Sequence, residues 1–220
     1  MTKLIIVRHG HSIANDTHAF AGITDVPLSE AGKGQAEYVG EYLAANEHID
    51  RIFISGLLRT AQTARPTAER LGLPIEIEPD LREVFAGLWE NLPYDKLTMR
   101  FTADWLGWKY DLPNACCTGG ESAYALYRRV NGAIHRLCRE NEGKTLMLVT
   151  HATPIRAINA MIRGGLSQMR RAPIPTNASI NIYRYENGTL TPEQTDLITY
   201  PFRLMRSVWQ PQPPLMPERS

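Results

Sequence analysis

Two apolar runs, each followed directly by a histidine, constrain the fold of this chain more than any other feature. Residues 3–8 lead into His9, and residues 144–150 lead into His151. Both runs are short and rich in branched residues, which is typical of strands buried on both faces of a sheet. Further strands are predicted at 51–55, 75–77, 178–185 and 190–196.

Segments with helical periodicity lie between these strands. Ser29 is a suitable N-cap for a helix over 29–46, and Gly72 ends a helix predicted over 58–71. Alternation of strands and helices predicts an α/β fold, a three-layer α/β/α sandwich with a mostly parallel central sheet. Because ligands bind at the carboxyl ends of the strands in such sheets, His9 and His151 should reach the same edge. The two remaining helices are predicted at 121–141 and 154–163.

The composition excludes several classes of protein. The chain has 220 residues and a formal net charge of +1, which gives no general attraction for nucleic acid or for an anionic membrane. Its apolar stretches are all shorter than a membrane span or a signal-peptide core. The three cysteines lack a CxxC spacing, so neither a disulfide framework nor a structural zinc site is predicted, and we expect a cytoplasmic protein.

The domain organisation is predicted to be simple. Residues 1–208 should form one domain, with residues 85–120 as a loop region of short helices that contributes to substrate specificity. Trp105 and Trp108 in that region could form an apolar wall over the substrate, but packing in the core or in a lid is the expectation. The proline-rich segment 209–220 is expected to be disordered. The sequence carries no signal for an oligomeric state.

Four polar segments follow or flank the predicted strands. They are RHGHSIAND from residue 8, SGLLRTAQTA from residue 55, LREVFAGLWENL from residue 81 and VTHATPIRAI from residue 149. Together with GITDVPLSEAGKGQA at 22–36 and NASI at 177–180, they resemble in order the motifs of the histidine phosphatase superfamily, the phosphoglycerate-mutase-like enzymes. The resemblance runs from residue 4 to about residue 183, and its sharpest part is the match of residues 8–15 to RHGx(S/T)xxN.

The resemblance implies a phosphohistidine mechanism with no metal and no other cofactor. His9 is the implied nucleophile, a role that needs a neutral imidazole held in one tautomer. Arg8 and Arg59 are implied to bind the phosphoryl oxygens through their guanidinium groups. His151 is implied to add an imidazole N–H, and Asn15 an amide.

Glu83 is the implied general acid, which protonates the leaving oxygen. Taken without the surrounding motif, Glu83 would be interpreted as a solvated loop carboxylate; with the motif, we expect it to pack against Trp89 and Phe85. The resemblance also implies contacts with the substrate or its phosphate from three small residues, which are Ser12, Gly22 and Ala152.

The predicted function is a phosphatase that acts on a small phosphorylated metabolite, and a phosphoglycerate-type mutase is the alternative. The glycolytic mutases of the family carry a longer insertion between the acid and the second histidine. Here Glu83 and His151 are separated by a comparatively short stretch, and the GLWEN form of the acid segment is phosphatase-like.

Two further classes stay open on the residues alone. A metallohydrolase could use His9, His11 and His151 as ligands, although no Asp or Glu ligand motif accompanies them. A non-catalytic binding module could keep the phosphate pocket without turnover. Retained activity in a chelator would exclude the first class, and turnover of a phosphomonoester would exclude the second.

Overall fold

The computed structural model describes residues 1–205, so the prediction made for 209–220 lies outside the described residues. Its strands are β1 (Thr2–Arg8), β2 (Ala19–Phe20), β3 (Arg51–Ile54), β4 (Ile75–Ile77), β5 (Leu92–Pro93), β6 (Thr145–Thr150), β7 (Ile180–Glu186) and β8 (Thr189–Leu197). Its α-helices are α1 (Ile13–Asp16), α2 (Glu30–Asn46), α3 (Leu58–Leu71), α4 (Tyr94–Arg100), α5 (Thr102–Tyr110), α6 (Ala123–Glu140) and α7 (Ala152–Ile162).

Six strands form the central sheet in the order β4-β3-β6-β1-β7-β8, while β2 and β5 form a separate pair. The first four strands of that order are parallel, and β7 and β8 are antiparallel to their neighbours. The mostly parallel sheet is therefore confirmed. The β7–β8 hairpin turns through Asn187 and Gly188, whose φ angles of 50° and 80° are those that a two-residue type I′ turn requires.

Helices cover both faces of the sheet. Along β1 the side chains alternate, so that Ile5 and Val7 pack with α2 and α3, whereas Leu4 and Ile6 pack on the opposite face with α6 and α7. Each face thus has its own apolar core, and the predicted three-layer α/β/α sandwich is confirmed. In residues 1–205 none of the helices has the length and apolar character needed to span a membrane.

The helix ends follow local capping chemistry. Ser29 accepts a hydrogen bond from the backbone N–H of Gly32 at 3.2 Å, and Gly72 ends α3 with a left-handed φ of 67°. The predicted start of α7 at residue 154 is two residues too late, because the helix begins at Ala152. Pro154 lies in the first turn, where a backbone N–H has no intrahelical partner to lose.

The segment 85–120 folds as α4 and α5 with short 3-10 turns, as predicted for its proline and glycine content. Trp105 and Trp108 are buried, and their rings contact the ring of Trp89 edge-on, with centroids 5.9 and 5.8 Å away. This packing, which aromatic rings favour, confirms the core role predicted for the two tryptophans. Their helix, α5, also borders a cavity at the carboxyl ends of β1 and β6.

Candidate active site

A cavity of about 260 Å³ opens beside the carboxyl ends of β1 and β6. Seven of the nine catalytic and binding residues predicted from the sequence line it, and they come from segments far apart in the chain. Parallel strands bring their carboxyl ends to one edge, which is why these segments meet. The seven residues are Arg8, His9, Asn15, Gly22, Arg59, Glu83 and Ala152.

His9 follows β1 and is held as a neutral imidazole. Its Nδ1 lies 2.7 Å from the carbonyl oxygen of Gly10. A carbonyl can only accept, so the ring proton is on Nδ1 and the lone pair is on Nε2. Burial first, and then the positive charges of Arg59 and Arg8, lower the pKa of His9 well below its ordinary value. The free ring is therefore uncharged at neutral pH.

Arg8 provides a buried cation with an unused donor. Its Nη1 donates to the carbonyl oxygen of Pro175 at 2.5 Å, whereas its Nε is buried and has no partner within residues 1–205. A buried N–H without a partner costs free energy unless a ligand accepts its hydrogen. The side chain is thus suited to an anion in the cavity.

Arg59 is held by three acceptors. Its Nη1 donates to the carbonyl of Thr24 at 2.8 Å, its Nη2 to the carbonyl of Gly22 at 2.7 Å, and its Nε to Nδ1 of His151 at 3.2 Å. Each terminal nitrogen keeps a second N–H for a ligand. Burial lowers the pKa of Arg59 to about 10, so it stays protonated at neutral pH.

His151 is placed beside His9 but is oriented differently from the expectation. It is fully buried, and because Arg59 donates to its Nδ1, its own proton is on Nε2, which lies 2.8 Å from Oγ of Ser55. The imidazole N–H expected at the phosphoryl group therefore faces the protein interior. In this structure His151 orients the guanidinium of Arg59 instead.

Asn15 lines the cavity, and three hydrogen-bond donors fix the orientation of its side-chain amide. Its Oδ1 accepts from the backbone N–H and the hydroxyl of Ser12, at 2.9 and 3.0 Å, and from Nδ2 of Asn177 at 3.3 Å. An oxygen so placed leaves the amide NH₂ of Asn15 as the group available to a ligand. Ser12 itself is buried away from the cavity, so the direct contact expected of it is corrected to an indirect one through Asn15.

Glu83 reaches the cavity from the loop after β4. Its Oε1 accepts from the backbone N–H of Val84 at 2.9 Å, and its Oε2 from that of Thr153 at 3.3 Å. The carboxyl is half-buried beside the start of α7. Of the two rings expected to bury it, Trp89 is itself fully buried, whereas Phe85 is 44% exposed.

The ligand set of the metallohydrolase alternative is not assembled. His11 turns its Nδ1 to Oγ of Ser29 at 3.2 Å, and both ring nitrogens of His151 are engaged within the protein. In the described part of the chain, His, Cys, Asp and Glu side chains form no group of three or more that could hold a metal ion.

Comparison with known proteins identifies the family of this chain. A model of the histidine phosphatase superfamily (branch 1) matches residues 4–196. The chain belongs to this superfamily. Phosphoserine phosphatase 1 of Hydrogenobacter thermophilus is 32% identical over 74% of this chain and 77% of its own length. The adenosylcobalamin/alpha-ribazole phosphatase of Salmonella typhimurium is 35% identical over 68% of this chain and 73% of its own.

The fold of the superfamily is equally clear. The solved structure of YhfR from Bacillus stearothermophilus superposes with a TM-score of 0.83 and 25% identity, over 89% of this chain and 97% of that one. Both the family resemblance and the phosphatase prediction are thus confirmed. Other relatives carry the name of probable phosphoglycerate mutases, and this alternative is the less favoured one.

Several lining residues escaped the sequence analysis. Asn177 was quoted only as part of the NASI element, and Thr153 and Arg156 only as part of the segment around His151. Others lie in segments without a motif, so only their place beside the cavity reveals them. These are His18, Phe20, Tyr94 and Lys109. Trp105 and Trp108, which the sequence also offered as an apolar wall over the substrate, line the cavity as well as packing in the core.

Proposed function

We propose that this phosphatase hydrolyses small phosphomonoesters through a phosphohistidine formed on Nε2 of His9. One observation carries the proposal, namely the 2.7 Å contact between Nδ1 of His9 and the carbonyl of Gly10. This contact fixes the tautomer in which Nε2 has the free lone pair. The same contact orients the ring in a cavity that also holds two buried guanidinium groups.

In the first step Nε2 attacks phosphorus, a P–N bond forms and the ester P–O bond breaks. Negative charge on the phosphoryl oxygens is met by Nε of Arg8, by the second N–H of each terminal nitrogen of Arg59, and by the amide of Asn15. The backbone N–H of Ala152, at the start of α7 and in the cavity lining, adds a further donor.

Glu83 moves the protons. Its carboxylic acid form gives a proton to the leaving oxygen, and the resulting carboxylate takes a proton from the water that attacks the phosphohistidine. The P–N bond then breaks and inorganic phosphate leaves with His9 restored. The half-buried place of Glu83 at the edge of the cavity, next to Thr153, supports this role.

The substrate is a small phosphorylated metabolite. The cavity of about 260 Å³ suits a phosphoryl group with a compact leaving group. Because one relative is named a phosphoserine phosphatase and another an alpha-ribazole phosphatase, phosphoserine and alpha-ribazole phosphate are the first two substrates to compare.

A phosphoenzyme trap tests the mechanism. Rapid quenching with a labelled phosphomonoester should give a labelled protein that is stable to base and labile to acid, with the label on His9. His9→Ala should give no label and lose several orders of magnitude in turnover. His48→Ala, at an exposed histidine far from the cavity, is the matched control and should keep both. Label on another residue would refute the proposal.

A further inference from the structure

Glu90 holds together two segments of the chain without lining the cavity. Its Oε1 accepts from the backbone N–H of Ile23 at 2.9 Å and from that of Ala86 at 3.0 Å. Its Oε2 accepts from the backbone N–H of Thr24 at 3.0 Å and from the hydroxyl of Thr24 at 2.5 Å. Four donors thus bind the two carboxylate oxygens of Glu90. Three of them are peptide N–H groups, which can only donate.

The segment that Glu90 holds is the segment that orients Arg59. Gly22 and Thr24, on either side of Ile23, supply the two carbonyl oxygens that accept from the terminal nitrogens of Arg59. Gly22 has a φ of 48°, and a Cβ added there would lie 2.2 Å from Oε1 of Glu90. Glycine is therefore required for the close approach of the carboxylate to this segment.

This arrangement has a chemical consequence for an anion site. A carboxylate paired directly with Arg59 would occupy the N–H groups that a phosphoryl group needs. The carboxylate of Glu90 instead accepts from the backbone N–H groups of Ile23 and Thr24. The carbonyls of segment 22–24 therefore remain available to the guanidinium of Arg59. The guanidinium is held in one place while its remaining N–H groups stay available.

We propose that Glu90 is a positioning residue, which aims Arg59 at the phosphoryl group through the carbonyls of Gly22 and Thr24. The inference rests on the phosphate-binding role proposed for Arg59. It separates Glu90 from the acid–base chemistry assigned to Glu83, although both belong to the segment 81–92.

Glu90→Gln is the direct test, because an amide NH₂ cannot accept from the peptide N–H groups that it would meet. With para-nitrophenyl phosphate as substrate, kcat/KM should fall about 10- to 100-fold, the usual cost of a misplaced catalytic group. The inhibition constant of orthovanadate should rise in parallel, since the same guanidinium meets its oxygens. Unchanged vanadate inhibition alongside a lower kcat/KM would overturn the proposal.

A double-mutant cycle separates positioning from general loosening of the fold. Once Arg59→Ala has removed the guanidinium, Glu90→Gln should cost little more. Glu121→Gln is the matched control, because Glu121 also accepts from a backbone N–H, that of Phe85 at 3.3 Å, and from Arg129 at 2.7 Å, but does not contact segment 22–24. Its effect should be independent of Arg59. Additive losses for Glu90→Gln, or equal coupling for both carboxylates, would refute the positioning role.

The Arg59→Ala variant distinguishes failure of the proposed function from failure of the positioning role. If Arg59→Ala alone leaves kcat/KM unchanged, the proposed function of Arg59 fails; if it lowers kcat/KM but does not couple to Glu90, only the positioning role fails. Should Glu90→Gln not fold, Thr24→Val removes one hydrogen bond to Oε2 and should lower kcat/KM roughly 2- to 10-fold, again only when Arg59 is present.

Discussion

The imidazole rings of His9 and His151 lie with their centroids 5.0 Å apart and their planes tilted by 59°. Burial is the main reason that the pKa of each ring is well below its ordinary value. Their hydrogen bonds differ, however. His9 donates from Nδ1 to a carbonyl and keeps a free lone pair on Nε2, while both nitrogens of His151 are engaged with Arg59 and Ser55. Of these two adjacent histidines, His9 has a ring nitrogen free for a ligand, whereas His151 orients Arg59.

The pH dependence of turnover follows from the depressed pKa of His9. The ring is the nucleophile only when neutral, so kcat/KM should fall as the pH decreases through the pKa of the free enzyme. Because that pKa lies well below the ordinary value of about 6.5, the acid limb should also lie below about pH 6.5. Rates should be expressed per substrate dianion, since the phosphate ester itself titrates near pH 6.

An NMR titration of His9 in the substrate-free protein checks the same point directly. The resonance is assigned by its loss in His9→Ala, and free histidine in the same tube is the reference. A midpoint for His9 at or above that of free histidine would contradict the depressed pKa.

Glu83 and Arg59 should respond differently to the leaving group. Glu83→Gln should lose roughly 10²–10⁴-fold on an alkyl phosphate, the usual size of a general-acid contribution. It should lose much less on para-nitrophenyl phosphate, whose phenolate leaves without a proton. Arg59→Ala should depress both substrates alike, because it meets charge on the phosphoryl oxygens.

Single-turnover measurements are required for this comparison, since a slow dephosphorylation of His9 would hide leaving-group effects. Equal losses on the two substrates with Glu83→Gln would move the acid role to another group. Glu90, the other glutamate of that segment, does not line the cavity and would be a poor replacement.

Gly22 should be far less replaceable than Gly72, although both have a left-handed φ, of 48° and 67°. Gly72→Ala adds a Cβ with no atom within 4 Å, so its cost should be the conformational one of about 1–2 kcal/mol. Gly22→Ala adds a Cβ 2.2 Å from the carboxylate of Glu90, so it should also displace the carbonyls that hold Arg59. Urea unfolding and kcat/KM of the two variants, measured together, check this. Equal activity in both would contradict the role of Gly22.

Chelators should leave turnover unchanged. Charge on the phosphoryl oxygens is met by guanidinium and amide groups in the proposed mechanism, so no step needs a metal ion. The rate with para-nitrophenyl phosphate should be equal before and after dialysis against EDTA, with and without added Mg²⁺ or Zn²⁺. A loss that a metal ion restores would revive the metallohydrolase alternative.

The sequence by itself determined the architecture and the location of the site. Apolar runs at residues 3–8 and 144–150 are local signals, and the rule that parallel strands end at one edge placed His9 and His151 together without further information. The ordered motifs identified Arg8, Asn15, Arg59 and Glu83, which all line the cavity. Helix ends such as Ser29 and Gly72 were also predictable, because capping depends on a few neighbouring residues.

Only the tertiary structure decided what each polar atom does. Arg59 donates to Gly22 and to His151, which lie 37 and 92 positions away in the chain, and these contacts direct the proton of His151 to Ser55. Ser12 and Glu90 do not line the cavity but contact residues or segments that do, and folding alone brings these partners together. Sequence patterns report which residue types are present, but the direction of a hydrogen bond depends on the partner that folding brings within about 3 Å.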